Sequence, residues 1–499
     1  MKICVINGSP RGKNSVTLQT VLYLEKRFPQ HTFDFLNVGA GIQSFERDMS
    51  GAVEAIRSAE LLLFSYPVYT FLAPAQLHRF LELMKRSGAD FKDLCATQLT
   101  TSKHFFDVTA HRYLEENCRD MGMRVIRGLS ADMEDLLTEQ GRREAEVFLR
   151  YVVHCVENQL YEPVPPAAPS PTRPTYVQTL SPGVKPEGFD TVIVGDLREE
   201  DAGLRAMIKD FGALYPYKTR FVNLADFPFK GGCLGCFGCA THGRCVQKDG
   251  FDAFLRENIQ NADAIIYAFT LRDHSMGSRF KMYDDRQFCN GHRTVTAGKP
   301  FAYIVNGDYE AEENLKTVIE ARAQVGHNFL AGVGYDLPSM EAAAKRLAYA
   351  LENRYVPPRN FYGVGGMKIF RDLVWLMQGI MKADHDYYKS HGLYDFPQKR
   401  RGRMLAMRLL GALMRNPRTG DKMTAKFNQG MMAPYKKLLA HTRSGKYGNK
   451  GCRFASFPIE NSISVRICHE RFCTEAAGPV RHDHRSYRLL SPVQFPDRL

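Results

Sequence analysis

The same strand occurs twice in this chain, 203 residues apart: Ala59-Glu-Leu-Leu-Leu-Phe-Ser-Tyr-Pro-Val-Tyr69 aligns without gaps on Ala262-Asp-Ala-Ile-Ile-Tyr-Ala-Phe-Thr-Leu-Arg272. A repeat at that spacing is a whole domain long, so the sequence predicts two copies of one folding unit in place of a single large core. Gly8-Ser-Pro-Arg11 aligns on Gly195-Asp-Leu-Arg198 at an offset of only 187, so the second copy carries 16 extra residues between its first and third strands.

Within each copy, short apolar runs alternate with amphipathic segments. Strands are expected at Lys2–Asn7, Thr32–Asn37, Leu61–Ser65, Cys95–Ser102 and Arg124–Arg127, and again at Thr191–Val194, Thr219–Leu224, Ala264–Phe269, Pro300–Asn306 and Phe329–Val333. Five strands interleaved with helices predict an α/β fold, with a doubly wound, five-stranded parallel sheet in each half. The expected domains are 1–158 and 189–356, joined by a proline-rich linker at 159–188. A basic helical extension follows at 357–442, with helices at Gly366–Lys382 and Arg403–Met414, and then an aperiodic tail at 443–499 that is expected to be poorly ordered.

The net charge of +13 is unevenly placed. Residues 359–499 hold 26 Lys and Arg against 10 Asp and Glu, which leaves 41 against 44 for residues 1–358. The C-terminal region is therefore the part suited to an acidic partner, an anionic membrane surface or non-specific nucleic acid, with a solvated basic helical surface as the plainer reading and no specific nucleic-acid binding expected. No apolar stretch reaches the length of a membrane span, and the N-terminus reads as a first strand instead of a signal peptide. Twelve cysteines without secretion signals predict a reducing, cytoplasmic setting.

The extra residues of the second half coincide with Cys233-Leu-Gly-Cys236-Phe-Gly-Cys239 and then Cys245. Three thiolates at C-x2-C-x2-C spacing can hold three corners of one small inorganic cube, with the fourth cysteine completing it, which reads as a [4Fe–4S] site. Zinc, redox thiols or a disulfide set, and a plain turn are the competing readings. Cys289 is a reserve candidate for the fourth corner.

In the first half, strand one runs into Asn7-Gly-Ser-Pro-Arg-Gly-Lys-Asn-Ser-Val-Thr17 and directly into a helix. Free backbone N–H groups at such a helix N-terminus, hydroxyls from Ser9, Ser15 and Thr17, and the charges of Arg11 and Lys13 suit a phosphate. The turn is neither G-x-G-x-x-G nor a Walker loop. Strand three ends in Ser65-Tyr-Pro-Val-Tyr-Thr-Phe71, a proline-fixed loop whose Tyr69 and Phe71 offer a flat wall to a planar ring. Strands one and three flank the switch point where ligands of open α/β sheets bind, so both features share one edge.

Gly8-Ser-Pro-Arg11 with Asn14 to Thr17, Tyr66-Pro-Val-Tyr69 and Pro74-Ala-Gln-Leu-His-Arg-Phe80 resemble the NADPH-dependent FMN reductase branch of the flavodoxin-like superfamily. The cysteine run resembles that of the iron–sulfur flavoproteins of the same branch. The resemblance covers roughly 1–157 and 189–354. It implies two flavodoxin-like sheets in tandem, with FMN held by Ser9, Arg11, Asn14, Ser15, Val16 and Thr17 at its phosphate and by Pro67, Val68, Tyr69, Thr70 and Phe71 at its ring. Thr101 and Ser102 fall where that family places a third flavin-contacting loop, and Cys233, Cys236, Cys239 and Cys245 would hold the cluster. The second half departs from the pattern: Asp196 stands where Ser9 does, Glu199, Glu200 and Asp201 would repel a phosphate, and Thr270-Leu-Arg-Asp-His274 replaces the ring loop.

The expected protein is an FMN-dependent oxidoreductase working between NAD(P)H or a reduced carrier and a small-molecule or protein acceptor. One flavin and one cluster per chain are expected, with no catalytic acid or base named. The alternatives are a non-enzymatic electron-transfer or scaffold flavoprotein, and a quinone or nitro-compound reductase with FMN only. The halves are expected to dock as a built-in dimer, and further pairing of chains into a homo-oligomer is left open. His104, His111 and His274 have no ligand spacing and are read as structural or solvent-exposed.

Overall fold

The computed structural model describes residues 1–104, 106–163, 175–181 and 183–441. The expected tail at 443–499 and residues 164–174 and 182 of the linker therefore lie outside the described residues. The chain divides into two compact units, Met1–Asp395 and the residues from Phe396 onward.

The first unit contains both sheets. Strands β1 (Lys2–Asn7), β2 (Thr32–Leu36), β3 (Leu61–Pro67), β4 (Cys95–Ser102) and β5 (Arg124–Val125) form the order 2-1-3-4-5, and β6 (Leu129–Asp132) also pairs with β4. Strands β7 (Thr191–Gly195), β8 (Thr219–Asn223), β9 (Ala264–Thr270), β10 (Pro300–Asn306) and β11 (Phe329–Gly334) repeat that order as 8-7-9-10-11. All pairings are parallel. This is the flavodoxin-like α/β topology, built twice.

The fifth strand of the first sheet differs from the single run expected at Arg124–Arg127. Cys95 pairs with Arg124 but Leu99 pairs with Leu129, so one extra residue intervenes on the outer strand and the ladder breaks into β5 and β6. Insertion of one residue bends a strand in this way, and apolar patterning does not report it.

The two halves share a core. Phe64 and Phe80 of the first and Phe269, Phe280 and Tyr283 of the second belong to one cluster of buried side chains. At its centre the helices Ala75–Arg86 and Gly277–Arg286 pack together. Asp285 Oδ2 accepts the Ala75 backbone N–H at 2.8 Å, and Glu82 Oε1 accepts the Ser278 backbone N–H at 2.8 Å. Both partners are again 203 residues apart, so each helix N-terminus is capped by the equivalent carboxylate of its twin. Reciprocal pairing of that kind is the signature of an isologous two-fold contact, here inside one chain.

Two further helices complete the first unit: Phe361–Leu376, with Asn360 Oδ1 accepting the Tyr362 N–H at 3.0 Å, and Lys382–Ser390. The expected helix Gly366–Lys382 thus starts five residues earlier and ends before the turn at Met377–Met381. The Asn360 cap starts the helix despite its glycines, and Gly363 is needed because a Cβ there would lie 2.5 Å from the Gln324 carbonyl. The second unit holds the helices Arg401–Arg415 and Gly420–His441 among the described residues. No described helix is long and apolar enough to cross a membrane.

Candidate functional site

At the C-terminal end of β1 the chain turns through Gly8–Asn14 into the helix Val16–Arg27. Ser15 caps that helix by accepting the Leu18 N–H at 3.3 Å, Asn7 Nδ2 donates to the Gly12 carbonyl at 3.1 Å, and the Ser9 hydroxyl accepts the Arg11 N–H at 3.3 Å. At the end of β4 the Thr101 hydroxyl meets that of Thr17 at 2.6 Å. Together these contacts hold a helix N-terminus open beside hydroxyls and Arg11, the chemistry a phosphate needs.

The loop after β3 closes as a two-residue turn: Tyr69 N donates to the Leu72 carbonyl at 2.8 Å and Leu72 N to the Tyr69 carbonyl at 3.0 Å. Its central residues, Thr70 (φ 44°) and Phe71 (φ 71°), are left-handed without being glycine. Such strain persists only where surroundings enforce it. Lys281, fully buried and contributed by the other half, braces the turn by donating from Nζ to the Tyr69 carbonyl at 2.9 Å and to Thr70 Oγ1 at 2.7 Å while pairing with Asp285.

A single cavity of about 420 Å³ joins these pieces. Ser9, Arg11, Ser15, Val16 and Thr17 line it, as do Pro67, Val68, Tyr69, Thr70, Phe71, Thr101 and Ser102. Asn14 lies off the cavity wall and is exposed. The opposite wall is the loop between β8 and β9, with Cys233, Cys236, Cys239 and Cys245, and Cys289 joins them. The two walls touch at Gly235 (φ 62°), where a Cβ would lie 1.9 Å from the Tyr69 hydroxyl. Gln76 Nε2 also reaches the Cys233 carbonyl at 3.4 Å.

The thiols sense one another. Burial, then Asp285, Cys239 and Cys245, pushes Cys233 up to about 12, and burial with Asp384 and Cys236 raises Cys239 to about 11. Burial also raises Cys289. Four thiols on one cavity wall match in kind and number the ligands an iron–sulfur cluster needs.

In the second half the equivalent edge is filled. Asp201, the N-cap counterpart of Ser15, accepts the Arg198 N–H at 3.0 Å, the Thr270 hydroxyl at 2.8 Å and Arg272 Nη2 at 3.0 Å. Asp196 pairs with Arg279 at 3.0 Å. A carboxylate thus occupies the anion position.

Sequence reasoning placed the loops but missed Lys281, Phe288 and His292, which complete the surroundings of the cavity from the segment after β9. For Lys281 the only available signal was the 203-residue offset, which sets it opposite His78 on the paired helix.

The sequence model of a family described as flavodoxin-like fold matches residues 1–129. No curated protein matches the chain. Similar solved structures include an apo NADH:FMN oxidoreductase, at 20% identity over 30% of this chain and 87% of that one, with a TM-score of 0.27. An FMN-dependent NADH-azoreductase from Bacillus anthracis in complex with FMN is similar at 14% identity over 32% and 100%, with a TM-score of 0.25. An NAD(P)H:quinone oxidoreductase from Methanothermobacter marburgensis is similar at 14% identity over 33% and 98%, with a TM-score of 0.25.

Proposed function

We propose that this chain is an FMN-containing oxidoreductase that moves electrons between NAD(P)H or a reduced carrier and an acceptor, with FMN in the first half and a [4Fe–4S] cluster in the second. The observation that carries the reading is the shared cavity: twelve of the thirteen candidate flavin residues and all four clustered cysteines line it. Ser9, Arg11, Ser15 and Thr17 would hold the phosphate, the Pro67–Phe71 loop the ring, and Cys233, Cys236, Cys239 and Cys245 the cluster. Bound there, the flavin supplies hydride chemistry and the cluster one-electron transfer, while the protein binds, orients and shields them.

Anaerobic purification followed by flavin, iron and sulfide analysis tests this. One FMN and about four irons per chain are expected from four thiolate corners, and Cys236→Ala should remove most of the iron. FMN without iron, or with stoichiometric zinc, would favour the reductase in which the cysteines are thiols or zinc ligands. The upward push that desolvation gives the half-buried Cys233 thiol supports free thiols as the second reading. A colourless protein that takes up neither cofactor would overturn both.

A further inference from the structure

We propose that His292 delivers a proton to the electron acceptor, positioned by Asp384 of the C-terminal extension; this rests on the flavin reading above. His292 stands in the cavity wall with its side chain 16% exposed. Its Nδ1 lies 2.9 Å from Asp384 Oδ2, and its backbone N–H donates to the same oxygen at 3.0 Å. Asp384 is fully buried, and Arg293 Nε lies 3.6 Å from its other oxygen.

The loop is built around this contact. Gly291 has a φ of 60°, and a Cβ there would lie 2.2 Å from Asp384 Oδ1, so no other residue lets the chain approach the carboxylate. Tyr388 donates its hydroxyl to the His292 carbonyl at 3.1 Å and Tyr387 to the Thr294 carbonyl at 3.2 Å. The helix Lys382–Ser390 therefore clamps the cavity wall on which His292 stands.

With Nδ1 fixed as a donor to a carboxylate, proton exchange is confined to Nε2. That nitrogen has no hydrogen-bond partner among the described residues. An acid or base within reach of a cleft, oriented by a buried carboxylate, is the arrangement proton transfer requires. Phe288, Phe370 and Leu373 line the same cavity, and the His292 ring meets Phe370 edge-on at 5.1 Å. These apolar walls fit a planar aromatic acceptor of the quinone class.

Reduction of a quinone to its hydroquinone adds a hydride and a proton. A flavin held by the Ser9–Thr17 turn and the Pro67–Phe71 loop would supply the hydride. The proton comes from Nε2 of the His292 imidazolium: one N–H bond breaks, one O–H bond forms, and water later returns the proton to the imidazole.

Ferricyanide accepts one electron and needs no proton, so the ratio of menadione to ferricyanide reduction isolates the role. His292→Asn keeps a side-chain N–H for Asp384 and removes the acid. The ratio should fall about a hundredfold, the lower end of general acid catalysis, and imidazole should restore part of His292→Ala. Asp384→Asn should lower the same ratio about tenfold. A ratio within about twofold of native in His292→Asn, with FMN content retained, overturns the proton role and leaves the flavin reading standing. Loss of flavin from the native protein instead overturns the flavin reading. A readout independent of cofactor is menadione binding to flavin-free protein, where His292→Asn should weaken affinity about tenfold through one lost hydrogen bond. Unchanged or undetectable binding there overturns the proposal.

Discussion

The two halves share a backbone and differ in what its side chains do. The turn Tyr69–Leu72 recurs 203 residues later as Arg272–Ser275, with the same reciprocal hydrogen bonds and two left-handed central residues, Asp273 (φ 52°) and His274 (φ 60°). In the first half those positions are Thr70 and Phe71, which face the cavity. In the second they form an ionic contact instead: His274 meets Asp120 at 3.0 Å and Glu312 at 3.1 Å, and so ties the halves together. Ser15 and Asp201 repeat the contrast at the first helix N-terminus, one beside an open anion position and the other filling it. A strained turn was thus kept while its chemistry was exchanged, which assigns the strain to the shared architecture and the ligand preference to side chains alone.

Giving the first half the charge of the second is the most severe test of that contrast. Arg11→Glu with Ser15→Asp should cut FMN affinity more than about a hundredfold, because charge-assisted donors to a phosphate become repelling carboxylates. Fluorescence of flavin released on heating would show it, and full retention would break the comparison. The reverse change, Asp201→Ser, should not create flavin binding, since Arg272 and the Asp196–Arg279 pair still occupy the edge.

The paired helices give the next largest effects. Lys281→Met strands the buried Asp285 and removes two hydrogen bonds from the Tyr69–Thr70 turn, so unfolding by urea should show a loss of about 3–5 kcal/mol. Lys281→Met combined with Asp285→Leu should recover much of this. His78, at the matching position, is fully buried with neither ring nitrogen hydrogen-bonded among the described residues, and burial followed by the Lys281 charge holds it neutral. His78→Leu should therefore change stability by no more than about 1 kcal/mol or increase it. Glu82→Gln weakens one cap and should cost about 1–2 kcal/mol. Asp285→Asn should cost more, because its partner Lys281 is fully buried whereas Arg79, the partner of Glu82, is partly exposed. Equal losses from the two cap variants would mean that the buried Lys281 pair adds no more than the Arg79–Glu82 pair.

Most of this contrast could be read from the sequence, because strands and phosphate turns are local. Cys95–Ser102 and Pro300–Asn306 occur with the bounds their apolar runs predict, and the charge at Asp196 and Asp201 already marked the second edge as unsuited to phosphate. What could not be read depends on distant partners. His292 becomes a candidate acid only through Asp384, 92 positions away, and Lys281 reaches a loop 211 positions earlier. The role of His274 needed both Asp120 and Glu312, brought together by docking of the halves. The break between β5 and β6 is a matter of register, to which periodicity is blind.

A pH dependence of stability follows from that docking. Burial lowers the pKa of His274, but the hydrogen bonds to Asp120 and Glu312 outweigh burial and raise it from 6.5 to about 10. A group whose folded pKa exceeds its unfolded value contributes fully below the unfolded value and loses its contribution as pH rises through the folded one. The native protein should accordingly lose stability between about pH 6.5 and 10. With Asp120 partly exposed the loss should be only about 1–2 kcal/mol. Glu116 acts in the same direction over a lower window, since burial raises it from 4.5 to about 7. His274→Gln should flatten the upper limb and, because the His274 charge holds Glu116 down, move the lower limb to higher pH, as read by urea melts at about pH 5, 6, 8 and 9.5. Phe71, its counterpart in the first half, carries no charge, so Phe71→Leu should leave the upper limb as steep as in the native protein. A His274→Gln profile as steep as the native one would show that the turn of the second half does not join the halves by charge.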